Sequence, residues 1–147
     1  MTLRRNRFSA ALPLVTLFAL SAGAIALGAD SSKPALYTAA QATAGAKLFD
    51  SKCAACHGER LEGGVGPALS GATLGTLAKN TKLTVGDLFS FLSLQMPLNE
   101  PATLKKDEYV DIMAYILKFN GYPSGAKALT YAGATTSKVR ISPSSGK

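Results

Sequence analysis

The chain has 147 residues, of which 16 are Lys or Arg and 9 are Asp or Glu, giving a formal net charge of +7. This length is enough for one domain with a modest core. No Lys/Arg cluster alternates with aromatic residues, so the positive charge does not indicate nucleic-acid binding. Two cysteines and a single histidine leave few ligands for any metal or thiol chemistry.

Residues 1–29 have the pattern of an export signal rather than of a folded element. Arg4, Arg5 and Arg7 form a positive start, and residues 8–29 contain no charge, with a leucine-rich centre followed by small residues. This pattern is typical of a secretory signal peptide, and we expect cleavage near Ala29. The same uncharged stretch is long enough to span a bilayer, so an uncleaved membrane anchor is the alternative.

A single helical domain is predicted over residues 38–123, after a polar lead-in at residues 30–37. Thr38 and Gln41 have the spacing of a capping box, which predicts the start of a helix. The helical face that follows consists of Gly45, Leu48, Phe49 and Lys52. A glycine inside a helix costs about 1 kcal/mol relative to alanine, so Gly45 should have a packing reason.

The most informative motif is the run of five residues from Cys53 to His57, in which two residues separate Cys53 from Cys56 and His57 follows directly. This C-x-x-C-H spacing is the attachment signature of a c-type haem: the two thiols bond to the porphyrin and the histidine ligates the iron. A dithiol redox centre is an alternative, although it expects a βαβ setting and the flanks here are helical. A zinc site is another, but it needs four ligands where the chain offers three Cys and His residues in total.

Two further helices are predicted beyond an irregular, glycine-rich loop at residues 58–67. Thr84 is the expected N-cap of the first of these helices, and Asp87 near its start suits the helix dipole. That helix must end before Met96, because Pro97 disfavours a helical conformation in the residue preceding it. Met96 is therefore expected in a loop.

The last helix is predicted to run to about Asn120, with Gly121 as its stop. Its expected buried face consists of Tyr109, Ile112, Tyr115, Ile116 and Phe119. Its start is ambiguous, because Lys105 and Lys106 stand where a capping residue is usual, and Thr103 is the alternative cap. Residues 124–147, rich in Ser, Thr, Gly and Ala, are predicted to form a flexible C-terminal extension.

Four blocks in this order resemble the bacterial single-haem class I cytochromes c, over about residues 38–125. The blocks are Gly45 with Phe49, residues 66–71, Met96 with Pro97, and residues 109–117. The resemblance implies an all-α cytochrome c fold, with three to five helices around one covalently bound haem c and with the first and last helices packed crosswise. In such a fold we expect Ile112 and Tyr115 to meet Gly45 and Phe49.

The resemblance also implies roles for individual residues around the haem. Cys53 and Cys56 would attach it, His57 would ligate its iron, and the carbonyl of Pro67 would accept a hydrogen bond from that histidine. Met96 is the expected sixth ligand, because Met1 lies in the leader and Met113 is placed as a core residue of a helix. No catalytic residue is assigned.

A His/Met-ligated haem has no open position, so the predicted function is a periplasmic, non-enzymatic carrier that moves one electron between redox proteins. Dehydrogenases, terminal oxidases or both are the expected partners, without nucleic acid or small-molecule substrates, and with a membrane only if the leader is uncleaved. The stretch from Met96 to Gly125 is also similar to cytochrome subunits of quinoprotein (PQQ) dehydrogenases, so an electron-accepting subunit of such a complex is the alternative. An open-site haem that binds gas or peroxide is the third hypothesis and requires that Met96 not ligate.

Overall fold

The computed structural model describes residues 32–143, so the predicted leader and the last four residues lie outside the described part of the chain. The helices within it are α1 (Ala39–Lys52), α2 (Ala54–His57), α3 (Gly71–Thr81), α4 (Val85–Gln95), α5 (Lys106–Phe119) and α6 (Tyr131–Thr135). Between residues 32 and 143 the β structure is limited to two isolated bridges, Tyr37 with Ser124 and Thr84 with Arg140. The all-α prediction is confirmed, and the helix count exceeds the predicted three to five because α2 and α6 are about one turn each.

Helix α1 begins where the sequence predicts. The Gln41 backbone N–H donates to Thr38 Oγ1 at 3.3 Å, and the Thr38 N–H donates to Gln41 Oε1 at 3.1 Å, which completes the capping box. The side-chain Nε2 of Gln41 also donates to the Leu129 carbonyl at 2.9 Å, and its Oε1 accepts from the Leu129 N–H at 2.9 Å. One side chain thus both caps α1 and binds a segment that follows the last predicted helix.

The contact between α1 and α5 is the most extensive between any two described helices. Gly45 is buried, and a Cβ at its position would overlap the backbone carbonyl of Asp111. The ring of Phe49 packs against Tyr115 with 5.3 Å between centroids, and Ile112 is fully buried. The predicted packing reason for Gly45 is therefore confirmed: the helices approach too closely there for any side chain.

The N-cap of α4 is the predicted residue, whereas α5 is capped in an unusual way. Thr84 caps α4, and its Oγ1 accepts from the Asp87 N–H at 3.1 Å. Helix α5 has Lys105 at its N-cap, where the Glu108 carboxylate accepts from the Lys105 N–H at 2.8 Å. Thr103 does not act as the cap, since its hydroxyl donates to the Glu100 carbonyl.

One helix prediction needs correction, and one helix was not predicted. Phe119, expected on the buried face of α5, is 38% exposed because it lies at the last position of the helix. Helix α3, which the sequence did not predict, buries only Leu74 and Ala78. Its weak apolar pattern and two glycines explain why its sequence gives little helical signal.

The extension beyond residue 123 differs from the flexible segment that the sequence predicts. Over residues 124–143 it folds back along the domain and buries Leu129, Ala134 and Ile141. Its backbone carbonyls at Val139 and Ser137 accept the N–H groups of Val85 and Gly86 at 2.8 and 3.1 Å. These N–H groups belong to the first turn of α4 and have no partner within that helix, so the extension completes the capping of α4.

No helix between residues 32 and 143 is long and apolar enough to cross a membrane.

Candidate functional site

The two cysteines lie at the junction of α1 and α2. Cys53 ends α1 through an N–H bond to the Phe49 carbonyl at 2.8 Å and begins α2. Its own carbonyl accepts from the N–H groups of Cys56 at 3.1 Å and His57 at 2.9 Å. This single turn places both thiols and the imidazole on one short segment. Both cysteines are free, with Cys53 partly buried and Cys56 exposed.

His57 is buried and held in one orientation. Its Nδ1 lies 2.8 Å from the carbonyl oxygen of Pro67. Since a carbonyl can only accept, Nδ1 carries the proton and donates, which leaves Nε2 with a free lone pair suitable for a metal. The contact predicted for Pro67 from the family resemblance is present in the structure.

The loop after the motif is built around the His57 ring. The Gly63 N–H donates to the His57 carbonyl at 2.8 Å, and the Gly66 N–H donates to the Cys56 carbonyl at 2.9 Å. A Cβ on Gly66 would lie 2.8 to 3.1 Å from three atoms of the imidazole. Only glycine lets the backbone come this close to the ring without moving it.

The Cys53 thiol is poorly suited to dithiol redox chemistry. Burial, together with the neighbouring Cys56, raises the pKa of the Cys53 thiol to about 11. Reactive dithiols work through the thiolate and usually have lowered pKa values. Over residues 32–143 there is no cluster of three or more His, Cys, Asp and Glu side chains arranged to hold a metal ion.

Met96 directly follows α4, with extended backbone angles and a cis peptide bond to Pro97. Its N–H donates to the Leu92 carbonyl at 3.2 Å, and its own carbonyl accepts from the Tyr109 hydroxyl at 2.7 Å. The side chain is partly buried against the core. The loop position that Pro97 predicts for Met96 is therefore confirmed.

Tyr109 is the residue of this region that the sequence interpretation assigned only to packing. It is 3% exposed, and a buried tyrosine hydroxyl usually needs a hydrogen-bond partner. The sequence could therefore indicate that the Tyr109 hydroxyl has a hydrogen-bond partner, but not which backbone group that partner is.

Large apolar side chains are exposed on segments that carry a candidate ligand, lie between two of them in the sequence or directly follow Met96. Their positions are the loop after His57, helix α3, helix α4 and the loop after Met96, and the residues are Val65, Leu77, Phe91, Leu94 and Leu98. Two free thiols, an imidazole with Nε2 available, a thioether and exposed apolar side chains are the kinds of group that fit a flat, apolar, covalently attached haem. Within the described residues Met96 is held through α4 and Tyr109 and makes no hydrogen bond to the motif.

Comparison with known proteins identifies the family of the chain. A family model described as "Cytochrome C oxidase, cbb3-type, subunit III" matches residues 40–116, which is more than half of the chain. Among solved structures, the sulfane dehydrogenase SoxCD from Paracoccus pantotrophus is 27% identical with a TM-score of 0.49. The match covers 64% of this chain and 50% of the SoxCD chain, so the chain spans about half the length of that neighbour. No curated protein sequence matches the chain.

Proposed function

Because this chain belongs to the class I c-type cytochromes, a family that carries covalently bound haem c, we propose that it is a single-haem electron carrier with His57 and Met96 as the iron ligands. The observation that carries the proposal is the 2.8 Å bond from His57 Nδ1 to the Pro67 carbonyl. It fixes the tautomer in which Nε2 is free to ligate, one residue after the second cysteine of the attachment motif.

The residues have separate tasks in this proposal. Cys53 and Cys56 each form a thioether with the porphyrin, and the backbone bonds around Cys53 hold the two sulfurs on one turn. His57 and Met96 would each supply one ligand to the iron. When bound, the haem supplies a one-electron couple at iron, and a thioether ligand raises its reduction potential.

The same ligand set argues for a carrier rather than an enzyme. With His57 and Met96 both as ligands, the iron would have no open position for oxygen or peroxide. His57 is the single histidine in the sequence, so its use as a ligand leaves no histidine to act as a general base. We assign no catalytic residue.

Redox proteins are the proposed partners, and the periplasm is the proposed location because residues 1–29 have the pattern of a signal peptide. The matching family is described as an oxidase subunit, which supports delivery of electrons to a terminal oxidase. The similarity of residues 96–125 to cytochrome subunits of quinoprotein dehydrogenases supports the second candidate, an electron-accepting dehydrogenase subunit. Anaerobic reduction of the purified protein by a quinoprotein dehydrogenase plus its substrate, compared with its oxidation by a terminal oxidase, separates the two.

The visible spectrum of protein matured in the periplasm tests the ligand set. We expect a covalent haem that keeps its spectrum when carbon monoxide is added to the reduced form, and an oxidised form that shows the thioether-to-iron charge-transfer band. A reduced form that binds carbon monoxide readily would replace the carrier with the open-site hypothesis. Protein without haem would overturn both.

A further inference from the structure

The loop that follows Met96 is closed by one hydroxyl from another helix. Tyr109, on α5, donates its hydroxyl proton to the Met96 carbonyl at 2.7 Å. The same oxygen accepts the Leu104 N–H at 3.3 Å. The hydroxyl therefore joins Met96, where α4 ends, to Leu104, two residues before α5 begins.

Little else holds this loop. Residues 98–103 are all exposed, and their bonds are mostly to one another: the Glu100 N–H donates to the Pro97 carbonyl, and the Thr103 hydroxyl donates to the Glu100 carbonyl. Ala102, in a left-handed conformation with φ of 60°, donates to the Met96 carbonyl at the longer distance of 3.3 Å. The Met96 N–H is bonded to the carbonyl of core residue Leu92 on α4, and apart from this bond the Tyr109 side chain is the core-anchored group that bonds to Met96 or Leu104 here.

We propose that Tyr109 is a positioning residue for Met96: its hydroxyl fixes the backbone from which the thioether is presented and thereby maintains the bond between Met96 and iron. The inference rests on the proposed function, in which Met96 is the sixth ligand. A thioether is a weak, neutral ligand with three rotatable bonds. Its hold on the iron therefore depends on how well the backbone behind it is placed.

The direct test replaces Tyr109 by phenylalanine, which keeps the ring in the core and removes the hydroxyl. In the Tyr109→Phe protein, with haem attached, we expect carbon monoxide to bind the reduced form about five-fold more readily than in wild type, the factor that one ordinary hydrogen bond contributes. The thioether charge-transfer band of the oxidised form should weaken in parallel.

Tyr37→Phe is the matched control. Tyr37 is 1% exposed, and its hydroxyl donates to the Tyr122 carbonyl at 2.6 Å, a backbone group outside both α4 and the Met96 loop. Each variant loses the bond from a buried tyrosine to a backbone carbonyl, and Tyr109→Phe also removes the acceptor of the Leu104 N–H, so a purely structural effect should lower both melting temperatures. Only Tyr109→Phe should change carbon monoxide binding. If Tyr109→Phe matches Tyr37→Phe and wild type in that measurement, the positioning role is wrong; if wild type itself binds carbon monoxide readily, the proposed function fails instead.

A measurement on the wild-type protein needs no variant. Because coupling between two sites is reciprocal, displacing Met96 from the iron should loosen the Tyr109 contacts. We expect the Leu104 amide to exchange with solvent several-fold faster when carbon monoxide is forced onto the reduced protein at high pressure. The Gly125 amide, which donates to the Tyr37 carbonyl at 2.7 Å, should not change. Unchanged exchange at Leu104 would overturn the proposal even if Tyr109→Phe cannot be obtained folded.

Discussion

The segment around His57 is held by hydrogen bonds between its own residues, whereas the segment around Met96 is held by hydrogen bonds to helices that flank it. Near His57, the carbonyls of Cys53, Cys56 and His57 accept from backbone N–H groups of the same loop, and Pro67 orients the ring from ten residues away. Near Met96, the supports are the Leu92 carbonyl of α4, which accepts the Met96 N–H, and the Tyr109 hydroxyl from α5. Helix α4, which leads into Met96, depends in turn on the C-terminal extension for part of its first turn.

This difference predicts which ligand is the more exchangeable. The His57 segment should keep its geometry as long as its own loop stays folded, and in the proposed carrier its two cysteines would be tethered to the same haem. We expect the Met96 segment to move with α5 and α4, which bond to it, and with the extension through α4. Opening of the site should therefore begin on the Met96 side, as expected for low-stability loops held by few buried contacts.

The largest effect is expected from a substitution at Gly66, in the loop that packs on His57. In Gly66→Ala the new Cβ meets the imidazole at 2.8 to 3.1 Å, so the His57 ring must shift out of its bond to Pro67. We expect a loss of about 3 kcal/mol in unfolding free energy and a lower yield of covalent haem. Guanidinium unfolding of the haem-loaded protein measures the first quantity.

Gly75→Ala is the control for this substitution. A Cβ at Gly75, within α3, would meet only the Pro143 ring at 3.9 Å, an ordinary contact. Alanine is the better helix former, so this variant should be neutral or more stable by about 0.5 to 1 kcal/mol. A Gly66→Ala protein as stable as Gly75→Ala would contradict the close packing of this loop on His57.

The next largest effect should come from a substitution at Gly86, where the C-terminal extension packs on α4, the helix that leads into Met96. In Gly86→Ala the Cβ would lie 2.7 Å from the carbonyl oxygens of Thr135 and Ser137, and backbone atoms cannot rotate away. We expect the extension to detach from α4, with a loss of about 2 kcal/mol and weaker Met96 ligation. Limited trypsin digestion should cut faster after Lys138 in Gly86→Ala than in wild type. An unchanged cleavage rate would mean that the extension is as mobile in the wild type as its composition predicts.

The sequence predicts the features of this protein that depend on neighbours in the chain. The capping pairs at Thr38 and Thr84 involve residues three positions apart, and the attachment motif is five consecutive residues, so each is visible locally. The docking of the extension is not, because it uses backbone carbonyls that any residue type could supply. Ser, Thr and Gly suggest mobility, yet Gly86 is the residue whose missing side chain admits that segment.

The Tyr109 hydroxyl was unpredictable for a similar reason. Helical spacing places its ring in the core, but the partner of the hydroxyl depends on where the chain returns after α4. The role of Pro67 could be stated beforehand only through the family resemblance, since its carbonyl acts rather than its ring.

Pro67→Ala tests whether the carbonyl of Pro67, rather than its ring, orients His57, and its expected effect on stability is smaller. Alanine keeps the backbone carbonyl, so the bond from His57 Nδ1 should persist and the haem spectrum should stay as in wild type. The cost should be no more than about 1 kcal/mol, mainly because the unfolded chain gains freedom when proline is lost. Visible spectra and guanidinium unfolding measure both quantities. A changed His57 environment would show that the proline ring, not its carbonyl alone, orients the ligand.

The smallest expected effect is electrostatic and lies at the start of α4. Hydrogen bonds from the Thr84 hydroxyl and backbone N–H hold the pKa of Asp87 below its usual value, and the positive charges of Lys138 and Arg140 on the extension add to this. A carboxylate with a lowered folded pKa stabilises the protein above its unfolded pKa and loses that contribution as the pH falls through the folded value.

Asp87→Asn should therefore lower the melting temperature at neutral pH and have progressively less effect as the pH is lowered into the acid range, where wild-type Asp87 is also neutral. Thr84→Ser keeps the first and largest cause, the side-chain hydrogen bond, and should retain the wild-type pH dependence. If the difference between wild type and Asp87→Asn were the same at pH 7 and in acid, the contribution would come from the shape of the side chain rather than from its charge. The extension would then support α4, and through it Met96, by its backbone bonds alone.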